Sequence, residues 1–514
     1  MESLGKWKDW HLSLLFALST LAWFALTAAL APDLAGTDVY IFRDAGWNLG
    51  AYGSFESAAL VYSHDLAPHF FAHYTPLMPL LFAAYIKLFS GSSYAGTFFN
   101  LLLGLAAAAL ALHTILTLPP SRLRHVAALI IAALPVLFVT HDRPEVLGLI
   151  LFLIAVRYTL RPHSHASMVG LLLALTFLAH PFAAIIAGVW CAFLLMSRVD
   201  LRTEKARALN TLVTMALAAA IPVAAVALLY WSIAPNSLIR FAQHALGAKT
   251  GLGISDSIIS GHTNFTFAQA WRLGTFRGGP LLAGRYFVAL MIVVLTVGLL
   301  IAYRRQLSGY GLCLSIAAAL SLAVSIMAFP VQPNYIYLLA FCFPLGVLAT
   351  SGRVHLPGIP WLVVLIVFML MNLPETAVSL LQRAEQIPSY RAAEGQPAFL
   401  LAHLSSPAPI VDVEGDEYDL FKPEFHHLIQ LDKANDSHHY ASLAGIANCY
   451  PAYHGPADSV RPLPGVLQAS DFQRIQTAPE HLWITLFGHR LMRAQWGYGC
   501  DLYIRKPASL SAGR

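Results

Sequence analysis

Long apolar runs separated by short polar loops fill the first three quarters of the chain. A helix that crosses the hydrocarbon core of a bilayer needs about 20 mostly apolar residues. Such runs lie near 10–30, 94–118, 124–140, 146–160, 166–179, 182–197, 209–231, 282–302, 309–329, 335–350 and 359–374. They predict about eleven transmembrane helices. Lys6 and Lys8 precede the first run, and no small-residue cleavage site follows a short apolar core. That run reads as a retained span, not a removed signal peptide. A further apolar stretch, 76–89, is short, and Pro76 and Pro79 interrupt its start.

The basic residues decide how that stretch is placed. If 76–89 does not span, alternate loops carry Lys6 and Lys8, Arg122 and Arg124, Arg157 and Arg161, Arg198, Arg202, Lys205 and Arg207, Arg304 and Arg305, and Arg353. The short loops of the opposite face then hold almost no basic residue, Arg143 being the exception. Cytoplasmic loops carry an excess of Lys and Arg. The bias reverses if 76–89 spans, so the stretch is expected to be an interfacial or re-entrant helix on the outer side. The N-terminus is then cytoplasmic and the chain after Pro374 lies outside. Two long loops, about 32–93 and about 232–281, fall on that same outer side, and long loops on one face are where function concentrates.

Composition agrees with the pattern. Of 514 residues, 57% are hydrophobic and 11% charged, and the mean hydropathy is +0.61. A soluble domain carries about 25% charged residues, so an ordinary soluble enzyme, a disordered chain and a disulfide-dense secreted mini-protein are excluded. Residues 1–374 hold 21 basic and 12 acidic groups, and residues 375–514 hold 11 and 15. The chain is a basic membrane part followed by a mildly acidic tail of about 140 residues, enough for one small domain. Runs at 409–413, 482–486 and 498–504 read as strands, and 398–404 reads as a helix, giving an α/β domain. Cys191, Cys313 and Cys342 fall in expected spans and read as apolar fillers. Cys449 and Cys500 fall in the tail, where an oxidising compartment permits a disulfide; two free buried thiols are the alternative.

Ionisable residues gather on the outer side. The first loop opens with Asp38, Arg43 and Asp44 and runs through His64, His69 and His73 to Tyr74, Thr75 and Pro76. An acid at the membrane surface is expensive to desolvate without a role or a partner; a surface salt bridge between Asp38 and Arg43 is the plain alternative. A second cluster, His141, Asp142, Arg143, Pro144 and Glu145, stands at the outer ends of the third and fourth spans. It also suits a helix cap, with Asp142 capping, Pro144 in the first turn and Glu145 complementing the dipole. His244 and Lys249 lie in the second long loop, and Gln332, Asn334, Tyr335 and Tyr337 open a late span, where tyrosines also serve as interfacial anchors.

The order of these motifs resembles the GT-C superfamily of membrane glycosyltransferases, and within it the protein-mannosyltransferase and aminoarabinose-transferase branch. A retained first span leads to a loop with an acid, then a Tyr-x-Pro and a re-entrant apolar stretch, an Arg-Pro-acid turn, and a late Tyr-bearing turn. The resemblance covers roughly residues 1–350 and rests on order, since each motif is short. It implies a GT-C-like fold over residues 1–374, with residues 375–514 as an appended extracytoplasmic α/β domain. It implies transfer of a sugar from a polyprenyl-phosphate donor to a lipid, glycan or protein acceptor at the outer face of a bacterial-type inner membrane. Asp38 falls at the family's first-loop catalytic acid. Val39 and Thr75 stand where the branch often keeps a second acid, and Asp44, Asp65 or Asp142 would have to substitute. Asp142, Arg143 and Glu145 match a polar turn facing the cavity. His244 and Tyr335 match residues near the donor phosphate, and Tyr74 belongs to the Tyr-x-Pro. The leaving phosphate is anionic and calls for cationic stabilisation, for which Arg43, Arg143 and Lys249 are candidates. A divalent metal is left open, no other cofactor is implied, and no nucleic-acid partner is expected.

A transporter or flippase for a lipid-linked or amphipathic substrate is the main alternative. Transporters show repeats and midplane charges. Here no repeat is evident, and of the ionisable groups in the spans His113 and His180 lie near predicted ends. A third reading is a membrane scaffold whose tail binds partners. The tail's acidic run from Asp412 to Asp419 lacks the glycine and terminal glutamate of an EF-hand and reads as a solvated turn. The pairs His426/His427 and His438/His439 read as polar surface, not metal ligands.

Overall fold

A computed structural model describes residues 9–32, 38–57, 69–71, 74–89, 91–117, 122–139, 144–161, 163–196, 198–200 and 203–235. In the tail it describes positions scattered from 377 to 391, then 394–404, 410–412, 421–425, 428–430, 444–450, 471–476, 483–486, 489–493 and 499–506. The four spans expected between 282 and 374 lie outside the described residues, as does the second long loop beyond residue 235.

The first nine helices follow the apolar runs. They are α1 (Asp9–Ala29), α2 (Asp38–Tyr52), α3 (Leu77–Phe89), α4 (Ala95–Leu116), α5 (Arg122–Ala133), α6 (Glu145–Leu160), α7 (Ala166–Ala179), α8 (Pro181–Met196) and α9 (Lys205–Ile233). Among the described residues α1, α4 and α9 are long and apolar enough to cross a membrane, while α3, α7 and α8 are shorter apolar helices. The described residues are mostly helical, with several helices suited to a bilayer. The expected span 124–140 is broken: α5 stops at Ala133, and a 3-10 turn, Pro135–Phe138, follows. Pro135 has no N–H to continue the helical ladder, so it ends the helix that hydropathy alone would extend.

Small residues let the helices approach closely. The core of the bundle combines Ala107, Ala108, Ala111, Ala128, Ala155 and Ala187 with Phe152 and Trp190. α4 is its buried centre, whereas α1 and α9 leave Leu14, Leu18, Leu217 and Ile221 exposed. Arginines collect at one end of this bundle. Arg157 near the end of α6 donates to Thr114 Oγ1 near the end of α4 at 3.1 Å, and Arg198 after α8 reaches Ser164 Oγ at 2.7 Å.

The other end is capped by the first loop. α2 and α3 pack side by side, and two strands, β1 (Glu56–Ser57) and β2 (His69–Phe70), pair antiparallel between them. Trp47, Phe71, Tyr74, Met78, Phe82 and Ile86 join Ala95, Phe99, Leu147 and Ala179 in a second core, which binds the cap to α4, α6 and α7. The contact between α2 and α3 depends on two glycines a helical turn apart. A Cβ added at Gly46 would lie 2.5 Å from the Pro79 carbonyl oxygen, and one at Gly50 would lie 2.6 Å from that of Ala83.

The described residues of the tail include a helix and two sheets. Helix α10 (Gln396–His403) carries Pro397 in its first turn, where a missing N–H costs nothing. Strands β3 (Ile410–Asp412), β4 (Leu428–Gln430), β5 (Gly445–Tyr450), β6 (Phe472–Gln476) and β9 (Gly499–Arg505) form a sheet in the order β4-β3-β5-β9-β6. β7 (Trp483–Leu486) and β8 (His489–Arg493) form a separate antiparallel pair. β3 pairs parallel with β4 and β5, whereas β9 runs antiparallel to β5 and β6. The register of β5 on β9 sets Cys449 directly opposite Cys500.

The glycine contact makes a direct prediction. Gly46→Ala must push α2 from α3, at a cost of about 1–3 kcal/mol. Its thermal unfolding midpoint in detergent should fall by several degrees, whereas Gly395→Ala, with nothing within 4 Å of the new Cβ, should not move it. Equal midpoints for Gly46→Ala and wild type would contradict the packing described.

Candidate functional site at the capped end

The residues singled out in the first loop are brought to the capped end by α2. Asp38 is the first residue of that helix. Arg43 and Asp44 follow on it, and both are buried. The Arg43 guanidinium lies over Gly96 in the first turn of α4, in the space that a Cβ there would fill. It also stands 5.8 Å from the centre of the Phe82 ring of α3. Arg43 thus carries its charge into the join between α2, α3 and α4.

Asp44 is engaged by the tail. Lys422 Nζ stands 2.7 Å from Asp44 Oδ1, and both side chains have no exposure. Ser57 in β1 donates to the second carboxylate oxygen at 2.9 Å. One turn further along α2, Asn48 donates through Nδ2 to the Glu56 carbonyl at 2.7 Å. Tyr52, another turn on, is an exposed residue, and its phenol is pushed above its ordinary range by desolvation of part of the side chain and then by Glu424. The face of α2 that carries Asp44, Asn48 and Tyr52 therefore meets β1 and the tail turn 421–425. Burial lowers the pKa of the Lys422 ammonium, and the Asp44 carboxylate draws it back up.

The Tyr-x-Pro joins the cap to the bundle. Tyr74 is buried in the second core. Thr75 Oγ1 donates to the Ala179 carbonyl at the end of α7 at 3.1 Å. α7 and α8 are linked by one residue, His180, which is buried. Its Nδ1 accepts the Ala183 N–H at 3.2 Å, and Pro181 opens α8. This is the geometry of an N-cap, with a ring nitrogen in place of the usual side-chain oxygen. It leaves Nε2 as the protonated nitrogen of the neutral ring.

Glu145 opens α6 and is buried. A carboxylate in a first helical turn is favoured by the helix dipole. The capping expected around Pro144 takes a different form: Pro144 itself holds the N-cap position of α6, without a side-chain cap hydrogen bond. Gly148, one turn on from Glu145, lies against His180, a Cβ there falling 3.0 Å from the His180 Cβ. Asp142, Arg143, His244, Lys249 and Tyr335 lie outside the described residues.

Two further groups at this end come from the tail. Arg383 Nε donates to the Ala31 carbonyl at 2.7 Å and its Nη2 to the Thr27 carbonyl at 3.4 Å. Tyr94 OH donates to the Leu30 carbonyl at 3.0 Å. The last carbonyls of a helix have no partner within it, and a guanidinium there also suits the dipole. Beside this cap the Tyr390 hydroxyl meets Ser93 Oγ, and its ring stands edge-on to Tyr94. Among the described residues no group of three His, Cys, Asp or Glu side chains stands together as a metal site.

The capped end thus assembles Asp38 at a helix start with buried Arg43, Asp44, Tyr74, Glu145, His180 and Lys422. His180 and Lys422 were not among the candidates read from sequence. The Pro after His180 is a helix-start signal that could have marked it as a cap. Nothing local to Lys422 announces its burial. No protein-family model matches this chain, and no curated protein matches it significantly in sequence.

Proposed function

We propose that the chain is a membrane glycosyltransferase of the GT-C kind, using a polyprenyl-phosphate sugar and acting at the outer face of a bacterial-type inner membrane. The observation that carries the reading is the concentration of buried ionisable side chains at one end of an apolar bundle, beneath two packed helices of which one begins at Asp38. A transporter would be expected to bury such groups at the midplane. The apolar helices offer a polyprenyl tail a lipid-like surface, while the charges stand where its phosphate would meet water.

In this reading the acceptor hydroxyl or amine attacks the anomeric carbon of the sugar. The new bond to that carbon forms as its bond to the phosphate oxygen breaks, and polyprenyl phosphate leaves with the electron pair. Asp38 takes the acceptor proton. A single displacement of this kind inverts the anomeric centre. Arg43, Arg143 and Lys249 offset the charge gathering on the phosphate. The resemblance assigns His244, Tyr335 and Tyr74 to the donor, and Asp142 and Glu145 to the polar turn that opens α6. Asp44, committed to Lys422 and Ser57, serves the architecture of the site instead of the donor. The acceptor is a lipid, a glycan or a protein.

The orientation belongs to the same proposal. Arg157 and Arg198 mark the end opposite the cap, which suits a cytoplasmic face. The tail then lies in the periplasm, with Cys449 and Cys500 in an oxidising compartment. Residues directly opposite on antiparallel strands have Cα atoms about 4.5–5.5 Å apart, within the span a disulfide bridges.

Two outcomes are expected. With labelled polyprenyl-phosphate sugars, purified wild type should consume one donor. Asp38→Asn should bind that donor yet turn over about 10²–10⁴-fold more slowly. Equal turnover would remove Asp38 as the base, and movement of an unaltered donor across the bilayer would favour the flippase. Separately, a non-reducing digest of protein alkylated in intact cells should recover Cys449 and Cys500 on linked peptides; two alkylated cysteines would count against a periplasmic tail.

A further inference from the structure

Among the described residues, the tail meets α2 at a charged contact that is fully buried. Lys422 stands in the connection between β3 and β4, flanked by buried Phe421 and Phe425, and its ammonium meets Asp44 at 2.7 Å. Ser57 holds the other carboxylate oxygen. A lysine and an aspartate taken out of water lose hydration that their attraction only partly returns, and an apolar pair of similar size commonly does as well for stability. What the charged pair adds is direction. The carboxylate is satisfied when the lysine arrives from one side and the serine from another, which fixes the rotation of α2 about its axis. Asp38 lies six residues before Asp44, about 9 Å along the same helix.

We propose that Lys422 is a positioning residue for the reaction at the capped end: by clamping Asp44 it holds α2, and with it Asp38, so that transfer requires the tail to be docked. The inference rests on the transferase reading. Two other tail contacts point the same way. Arg383 caps the end of α1, and Tyr390 packs on Ser93 and Tyr94 at the start of α4. α2 lies between those two points in the chain, so the tail grips the cap before, along and after the helix that matters. The tail is in this account a part of the enzyme, and a docking change induced by an acceptor or partner would reach Asp38 through Lys422.

The test is a double-mutant cycle on the full chain in lipid nanodiscs, comparing wild type, Lys422→Met, Asp44→Asn and the double variant. Hydrogen exchange of peptides from 38–52 reports α2, with peptides from α4 and α6 as controls. Single-turnover and steady-state transfer report the reaction, using the polyprenyl-phosphate sugar that wild type consumes. Each single variant should speed exchange in α2 roughly tenfold or more, because each removes the buried ion pair that joins the tail to α2. The controls should not change. Each should lower kcat about tenfold while the donor KM moves less than twofold. In the Asp44→Asn background, Lys422→Met should add little to either effect, as coupled residues do. If both single variants fail to accumulate and the double variant accumulates, the coupling is shown by expression itself. Unchanged α2 exchange in the single variants, additive effects in the double, or a loosened α2 with unaltered kcat would each overturn the proposal. A wild type that consumes no donor would overturn the transferase reading and the catalytic role together, while the exchange cycle would still show whether Lys422 clamps α2.

Discussion

A polar group next to an apolar bundle has no water to fall back on, so its partner must be supplied by the chain. At the capped end of this protein, that requirement determines how distant segments meet. The carbonyls that end α1 are met by Tyr94 and by Arg383, the latter more than 350 residues away in the chain. The carbonyl that ends α7 is met by Thr75. The carboxylate of Asp44 is met by Ser57 and Lys422. Each bond satisfies a polar group at the edge of the bundle, and together they draw the first loop and the tail onto one end of the helices. The aromatic core beneath, from Trp47 to Phe99, fills the space these bonds enclose.

Among the described residues the apolar helices were legible because their hydropathy marks them in the sequence. α1, α4 and α6 to α9 begin and end near the expected bounds, and the short stretch 76–89 is the surface-lying candidate that became α3. The break at Pro135 was missed because a hydropathy window counts apolar carbon and does not register a lost hydrogen bond. The spacing of Gly46 and Gly50 was readable as a close-packing signal, yet only α3 shows what they pack against. β1 and β2 are two residues long and leave no periodic trace. In the tail, β3, β7 and β9 were found by their apolar runs. β5 and β6, with Asn448, Gln473 and Arg474 in their interiors, were hidden by polar residues.

The site divides in the same way. Asp38, Arg43, Glu145 and Tyr74 could be singled out because charge and aromatic hydroxyls beside apolar runs stand out in a sequence. Their convergence at one end could not, since it depends on which helix ends adjoin. Lys422 follows an acidic run that reads as a solvated turn, and one lysine between Phe421 and Pro423 has no spacing to mark it. His180 was noticed only as a histidine near a span end, yet it joins two helices and caps one of them. Residues with a positioning role are generally of this kind, because they act through a contact and carry no motif.

In the proposed reading the capped end receives the phosphate of a polyprenyl-linked donor. Photocrosslinking with a diazirine-bearing polyprenyl-phosphate sugar, followed by peptide mapping, tests it most directly. The account predicts label from a headgroup-proximal diazirine on 38–52, on 74–75 and around Glu145 and His180, lost when unlabelled donor competes. Competable label confined to the arginine end, near Arg157 and Arg198, would contradict it.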